Sequence, residues 1–188
     1  MRESSPEQFS RNGRRIPSRA IFGRNSHGAH PTIQFVGFFT AFWLLSQALL
    51  GVFPKIETWI VNATVSNLVV AGNWVSQGSV ATGPFVRIGG ANLQIVPDCT
   101  PLMSTIMLWC AIVAFPSAFT WKIAGLLSGA AILWVYNLLR VLALAFILSK
   151  RPALFEFVHV YLWQSATVFV VFSIFALWLY LHQPRTEP

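Results

Sequence analysis

Charge is what this chain has least of. Asp, Glu, Lys and Arg make up 10% of its 188 residues, where a soluble domain carries about 25%. That deficit excludes an ordinary water-soluble globule. It equally excludes a disordered tail protein, which needs high charge and low hydrophobicity. Of the two signs the acidic residues are the fewer, six against 13 Lys and Arg. Cysteine is limited to Cys99 and Cys110, too few for a disulfide framework. Neither a metal-ligand constellation nor a glycine-rich phosphate loop stands in the sequence, so no cofactor is called for. What fills the chain instead is apolar: 55% hydrophobic residues and a mean hydropathy of +0.59.

A spanning helix needs about 20 apolar residues to cross the roughly 30 Å hydrocarbon core. Residues 32–53, 101–119, 123–148 and 157–181 are such runs. They predict an all-α polytopic membrane helix bundle with four spans. A basic arm over residues 1–31 precedes the first span and is expected to be disordered. The first run is too long for a signal peptide and has no small-residue cleavage site after it, so it reads as a retained anchor. Residues 54–98 make an outer segment, 99–182 a three-span core and 183–188 a short tail. Within the outer segment, residues 56–71 are apolar but interrupted by Glu57, Asn62, Thr64, Ser66 and Asn67. At about 24 Å they suit an interfacial or re-entrant helix better than a fifth span. Gly89-Gly90, flanked by Phe85-Val86-Arg87-Ile88 and the alternating run from Ala91 to Val96, predicts a small β-hairpin.

The formal net charge of +7 fits either nucleic-acid binding or a membrane protein with basic cytoplasmic ends. Position decides between them. Four spans put both termini on one side, together with Arg2, Arg11, Arg14, Arg15, Arg19, Arg24, Lys122 and Arg185. Lys55, Arg87, Lys150 and Arg151 fall on the other. The excess orients the N-terminus to the cytoplasm, and no nucleic-acid partner is needed to explain the basicity.

One cation belongs to neither group. Arg140 lies inside the third span, about 27 Å along the helix axis from Lys122, with Asn137 on the same face one turn earlier. Eight apolar residues follow it, whereas an arginine snorkelling to the headgroups would sit nearer the end. Cys99 stands where the outer segment meets the second span. Thr100-Pro101 reads there as N-cap and first-turn proline, and a helix N-terminus favours thiolate. The plainer alternative is an inert small hydrophobe at a helix start. Cys110 lies about 16 Å deeper and is expected in the core. His159 opens the fourth span, with Glu156 three residues before it and Trp163 four after. An interfacial histidine in an aromatic belt would look the same. Because successive spans alternate direction, Cys99, Arg140 and His159 share one membrane face. A thiol, an imidazole and a fixed cation are the parts of a cysteine acyl-transfer site.

At these residues the sequence resembles the exosortase/archaeosortase family of membrane transpeptidases. The likeness runs from about Phe85 to Leu181. It rests on a Cys opening a span, on Asn137-Leu138-Leu139-Arg140 near the outer end of the next, and on a His opening the following one. Ala114-Phe115-Pro116, the stretch from Trp121 to Leu127, and Phe155-Glu156 through His159 to Trp163 resemble the short H-type exosortases. The chain departs from the family pattern at Cys99-Thr100-Pro101 and at Trp163-Gln164. The resemblance implies a membrane cysteine protease/transpeptidase in a bacterial inner membrane, its active face periplasmic. Its partners would be lipid, membrane-anchored proteins with a C-terminal sorting signal (motif, hydrophobic helix, basic tail), and an acceptor the sequence does not identify. Cys99 would then attack, His159 shuttle protons and Arg140 stabilise the oxyanion, with Asn137 and Glu156 in support.

Two rival classes remain in view. A non-catalytic scaffold or assembly factor would use the same polar cluster only to bind. A small transporter would also need polar groups on the inner half of the spans. Gly125-Leu126-Leu127-Ser128-Gly129 forms a small-residue face suited to packing among the protein's own helices, and Pro116 is expected to kink or end the second span.

Overall fold

The computed structural model describes residues 31–76 and 78–182. The basic arm up to residue 30 and the tail at 183–188 lie outside the described residues. The chain is mostly helical and carries one small sheet. Helix α1 (Pro31–Val52) is followed by α2 (Lys55–Val75), three short strands, α3 (Leu102–Ala114) and the long α4 (Phe119–Lys150). A short α5 (Pro152–Phe157), a π turn (Val158–Leu162) and α6 (Trp163–His182) complete it. Among the described residues, three helical runs are long and apolar enough to cross a membrane: Thr32–Val52, Phe119–Lys150 and Pro152–Leu181.

The second expected span is shorter than the apolar run that announced it. α3 has 13 residues and reaches about 20 Å, short of a bilayer core by itself. The cause is local. Phe115 precedes Pro116, and the proline ring excludes the helical region for the residue before it. Phe115 accordingly takes ψ 133° and the helix stops at Ala114. The carbonyls orphaned at that end find a partner in Lys122, whose Nζ donates to the Val113 oxygen at 2.8 Å.

Close packing joins α3, α4 and α6. A Cβ at Gly129 would sit 2.5 Å from Leu108 Cδ2, and one at Gly125 2.5 Å from Trp178 Nε1. The two glycines therefore let neighbouring helices approach, as the small-residue face predicts. Leu108, Ile112, Leu133, Val171 and Trp178 form the core between these helices. Trp109 Nε1 donates to the Leu126 oxygen at 3.0 Å, tying α3 to α4 again.

The sheet sits against the C-terminal half of α4. Strands β1 (Val80–Thr82), β2 (Phe85–Ile88) and β3 (Ala91–Gln94) are antiparallel in the order β1-β2-β3. The expected hairpin is β2–β3, with Ile88 opposite Ala91. Its turn has positive φ at both Gly89 (57°) and Gly90 (89°), the requirement of a type I′ turn. β1 is an additional strand, joined to β2 through Gly83-Pro84 with Thr82 opposite Phe85. Alternation along β2 and β3 turns Val86, Ile88, Ala91 and Leu93 inward. They pack with Ile95, with Val61, Val65 and Leu68 of α2, and with Val141 and Ala145 of α4. α2 is therefore an amphipathic cover for the sheet, longer by a few residues at its C-terminal end than the apolar run at 56–71 suggests.

Candidate active site

Cys99 closes a separate 3₁₀ turn, Pro97–Cys99. Its N–H donates to the Val96 oxygen at 2.8 Å. Thr100, next in line, precedes Pro101 and is held extended at φ −99°, ψ 163°, again the restriction a proline places on its predecessor. That extended residue separates the cysteine from α3, which begins only at Leu102. The expected N-cap is thus reduced: Thr100 Oγ1 accepts from Leu102 N–H at 3.4 Å while donating to the Pro97 oxygen at 2.6 Å. Helix-end electrostatics fade within the first turn, so side chains around the thiol matter more than the helix end.

Asn137 is one of the few buried polar residues, 3% exposed. Its Nδ2 donates to the Cys99 carbonyl at 2.9 Å. The resemblance implies only a supporting role for it; the structure gives that support to the cysteine backbone. The bond crosses from α4 to the 3₁₀ turn and fixes where the thiol stands. Arg140, one helical turn further on, is half-buried. Its Nε is buried and has no hydrogen-bond acceptor among the described residues. An unsatisfied buried donor costs about 1–3 kcal/mol, a cost relieved by an acceptor oxygen entering the site.

His159 arrives on the π turn. The wider turn closes with Trp163 N–H bonded to the Val158 oxygen, and such turns recur at functional sites. The extra residue shifts the helix phase. Gln164, not Trp163, lines the same cavity as His159. Trp163 instead meets Tyr136 edge-on, ring centroids 6.1 Å apart. Phe155 stacks on the imidazole at 5.4 Å and 15°, setting its plane. Glu156 is exposed and lines neither of the cavities described next, so it does not join the cluster.

Two cavities meet at these residues. The larger, about 440 Å³, runs between α3 and α6, past Met103, Ser104 and Met107 on one wall and Gln164, Thr167 and Val171 on the other. The smaller, about 270 Å³, runs along Asn92–Val96 under Leu144, Leu148 and Phe155. Val96, Cys99, Arg140 and His159 line both. The three residues singled out from sequence are brought together at that junction, whereas Cys110 is buried elsewhere against α1. Gln164 and the β3 residues Asn92 and Gln94 were missed. The latter carried a signal, since alternation marks them as outward-facing positions next to Cys99. Chemically, the junction offers a thiol, an imidazole and a guanidinium with one unsatisfied donor, reachable from two sides. No protein-family model, curated protein or solved structure matches the chain.

Proposed function

We propose that the chain is a membrane cysteine transpeptidase of the exosortase type. The observation that carries the reading is the junction itself: Cys99, Arg140 and His159 line both adjoining cavities. A site that receives an acyl group from one side and expels a leaving segment on the other needs that two-sided access. A binding scaffold needs only one.

In this reading His159 takes the thiol proton as Cys99 attacks the scissile carbonyl carbon. The carbonyl π electrons move to oxygen, and Arg140 Nε, otherwise unpartnered, donates to that oxyanion. Collapse breaks the C–N bond. His159 returns its proton to the leaving amine, and a thioester to Cys99 remains. An acceptor amine or water then attacks the thioester, giving its proton to His159, and the thiol is regenerated when that proton returns to sulfur.

The geometry is compatible with a membrane substrate. From His159 to Val171 the α6 wall of the larger cavity descends about 18 Å, a trough for a hydrophobic helix on the leaving side. We place four crossings in an inner membrane. α1, α4 and α5–α6 supply three. α3, about 20 Å long, supplies the fourth, its inner end closed by the bend at Phe115 and the return into α4. The N-terminus is then cytoplasmic by the positive-inside rule, and the sheet, Cys99 and the smaller cavity face outward. The substrates are membrane-anchored proteins with a C-terminal motif, helix and basic tail.

The test is Cys99 alkylation by chloroacetamide in nanodiscs, quantified by peptide mass spectrometry across pH. Reactivity at Cys99 exceeding that at Cys110, with a pH profile removed by His159→Ala, supports the enzyme. A slow rate indifferent to His159 leaves a scaffold and ends the transpeptidase reading.

A further inference from the structure

Resting on that reading, we propose that the free edge of β3 is a strand-pairing site for the substrate segment on the acyl side of the scissile bond, and that the segment pairs parallel to β3. The direction of the backbone groups along β3 decides which of them are free. Ile95 N–H donates to the Pro84 oxygen at 2.8 Å, so the backbone of Ile95 faces β2. Backbone groups alternate sides along a strand. Leu93 and Ala91 therefore also face β2, opposite Val86 and Ile88, as the two-residue Gly89-Gly90 turn requires. The N–H and C=O of Asn92 and Gln94 point the other way. β3 is an edge of the sheet, and no fourth strand lies beside it among the described residues.

An open edge is a template for an extended peptide, and here the cavity beside it says where that peptide goes. The 270 Å³ cavity is lined by every residue from Asn92 to Val96 and ends at Cys99, Arg140 and His159. Those five residues offer about 13 Å of edge, enough for a strand of about four residues leading to the thiol. Leu144, Leu148 and Phe155 form the opposite apolar wall. Direction follows from connectivity. β3 runs toward Cys99, and so does a peptide read from its N-terminus to its scissile carbonyl. The two are parallel. In a parallel pair one peptide residue uses both its backbone groups, its N–H to the Asn92 oxygen and its C=O to the Gln94 N–H. The leaving segment is then free to turn into the trough between α3 and α6. Recognition on the acyl side is thereby mostly backbone, with side-chain selectivity confined to alternate positions.

The probe is an acetylated tetra-alanyl chloromethyl ketone, compared with chloroacetamide on the full chain in nanodiscs. The readout is the ratio of the two rates of Cys99 labelling, each divided by that reagent's rate with free N-acetylcysteine, which cancels both changes in the thiol itself and the reagents' own reactivity. Pairing predicts a ratio well above one that falls about 3- to 10-fold when one peptide amide is N-methylated, but not when its neighbour is. Gln94→Pro removes an edge N–H that makes no bond to β2, and proline is tolerated on edge strands; it lowers the ratio by a similar factor. Ala81→Pro makes the same change on the far edge, at β1, and leaves the ratio at its wild-type value. A ratio near one, or equal losses on N-methylating either amide, or no loss with Gln94→Pro, overturns the edge proposal while the transpeptidase reading stands on the chloroacetamide profile. If chloroacetamide labelling itself ignores His159, both fall.

Discussion

Asn137 is the residue whose replacement separates a built site from a chance cluster. Its side chain is almost fully buried, and its Nδ2 holds the Cys99 carbonyl at 2.9 Å. Asn137→Ala removes the donor and leaves that carbonyl without it. A hydrogen bond of this kind contributes about 0.5–1.5 kcal/mol net, and an acceptor left buried raises the loss to about 1–3 kcal/mol. At about 2–4 °C per kcal/mol for a chain of this size, thermal unfolding in nanodiscs falls by several degrees. Asn137→Asp is worse. An ionised carboxylate has no proton to offer and faces the carbonyl oxygen with like charge. The more telling readout is local. With its tether cut, the 3₁₀ turn carrying Cys99 moves relative to α4, on which Arg140 is fixed. Cys99 alkylation then loses its His159-dependent pH profile even where the protein remains helical by circular dichroism. Unfolding and alkylation both at wild-type values for Asn137→Ala refute the tether.

Other replacements follow from the same contacts. Gly129→Leu drives a side chain into Leu108, which is fully buried; overpacking of this kind costs about 1–3 kcal/mol, seen as a lower unfolding midpoint and reduced accumulation in the membrane. Lys122→Met keeps the stem but removes the Nζ bond to the Val113 oxygen. It lowers the midpoint by about 1 kcal/mol equivalent without changing Cys99 alkylation, because the cap lies at the far end of α3. Arg140→Gln removes the guanidinium, and substrate processing, measured on whole cells, falls about 10²- to 10³-fold.

Sequence and structure agree where a single local rule governs. Gly89-Gly90 dictates its turn, since a type I′ turn needs positive φ at both central residues and glycine adopts it freely. Pro116 dictates an extended residue before it, and α3 ends there; at Pro101 the helix begins one residue later than the N-cap reading places it. The grouping of Cys99, Arg140 and His159 follows from alternating helix direction and needs no side-chain detail. Three features escaped. β1 is only three residues long, too short for alternation to register. The π turn at Val158–Leu162 breaks the 3.6-residue period silently, so Gln164 takes the place expected for Trp163. The partner of Asn137 lies across a long loop closure, beyond any helical-face rule. The misses concern an element too short to show a period, a change of phase and a long-range contact, none of which a one-dimensional pattern carries.

If Cys99 cleaves membrane proteins near their C-terminal helices, C-terminal peptide mapping of membrane fractions detects it directly. Cells carrying the wild-type chain are compared with cells carrying Cys99→Ala, after immunoblotting shows equal amounts of each in the membrane. Cleavage at Cys99 gives a set of proteins that lose a C-terminal hydrophobic helix and basic tail only with the wild-type chain. They share a short motif at the new terminus. Identical C-termini in the two samples contradict it.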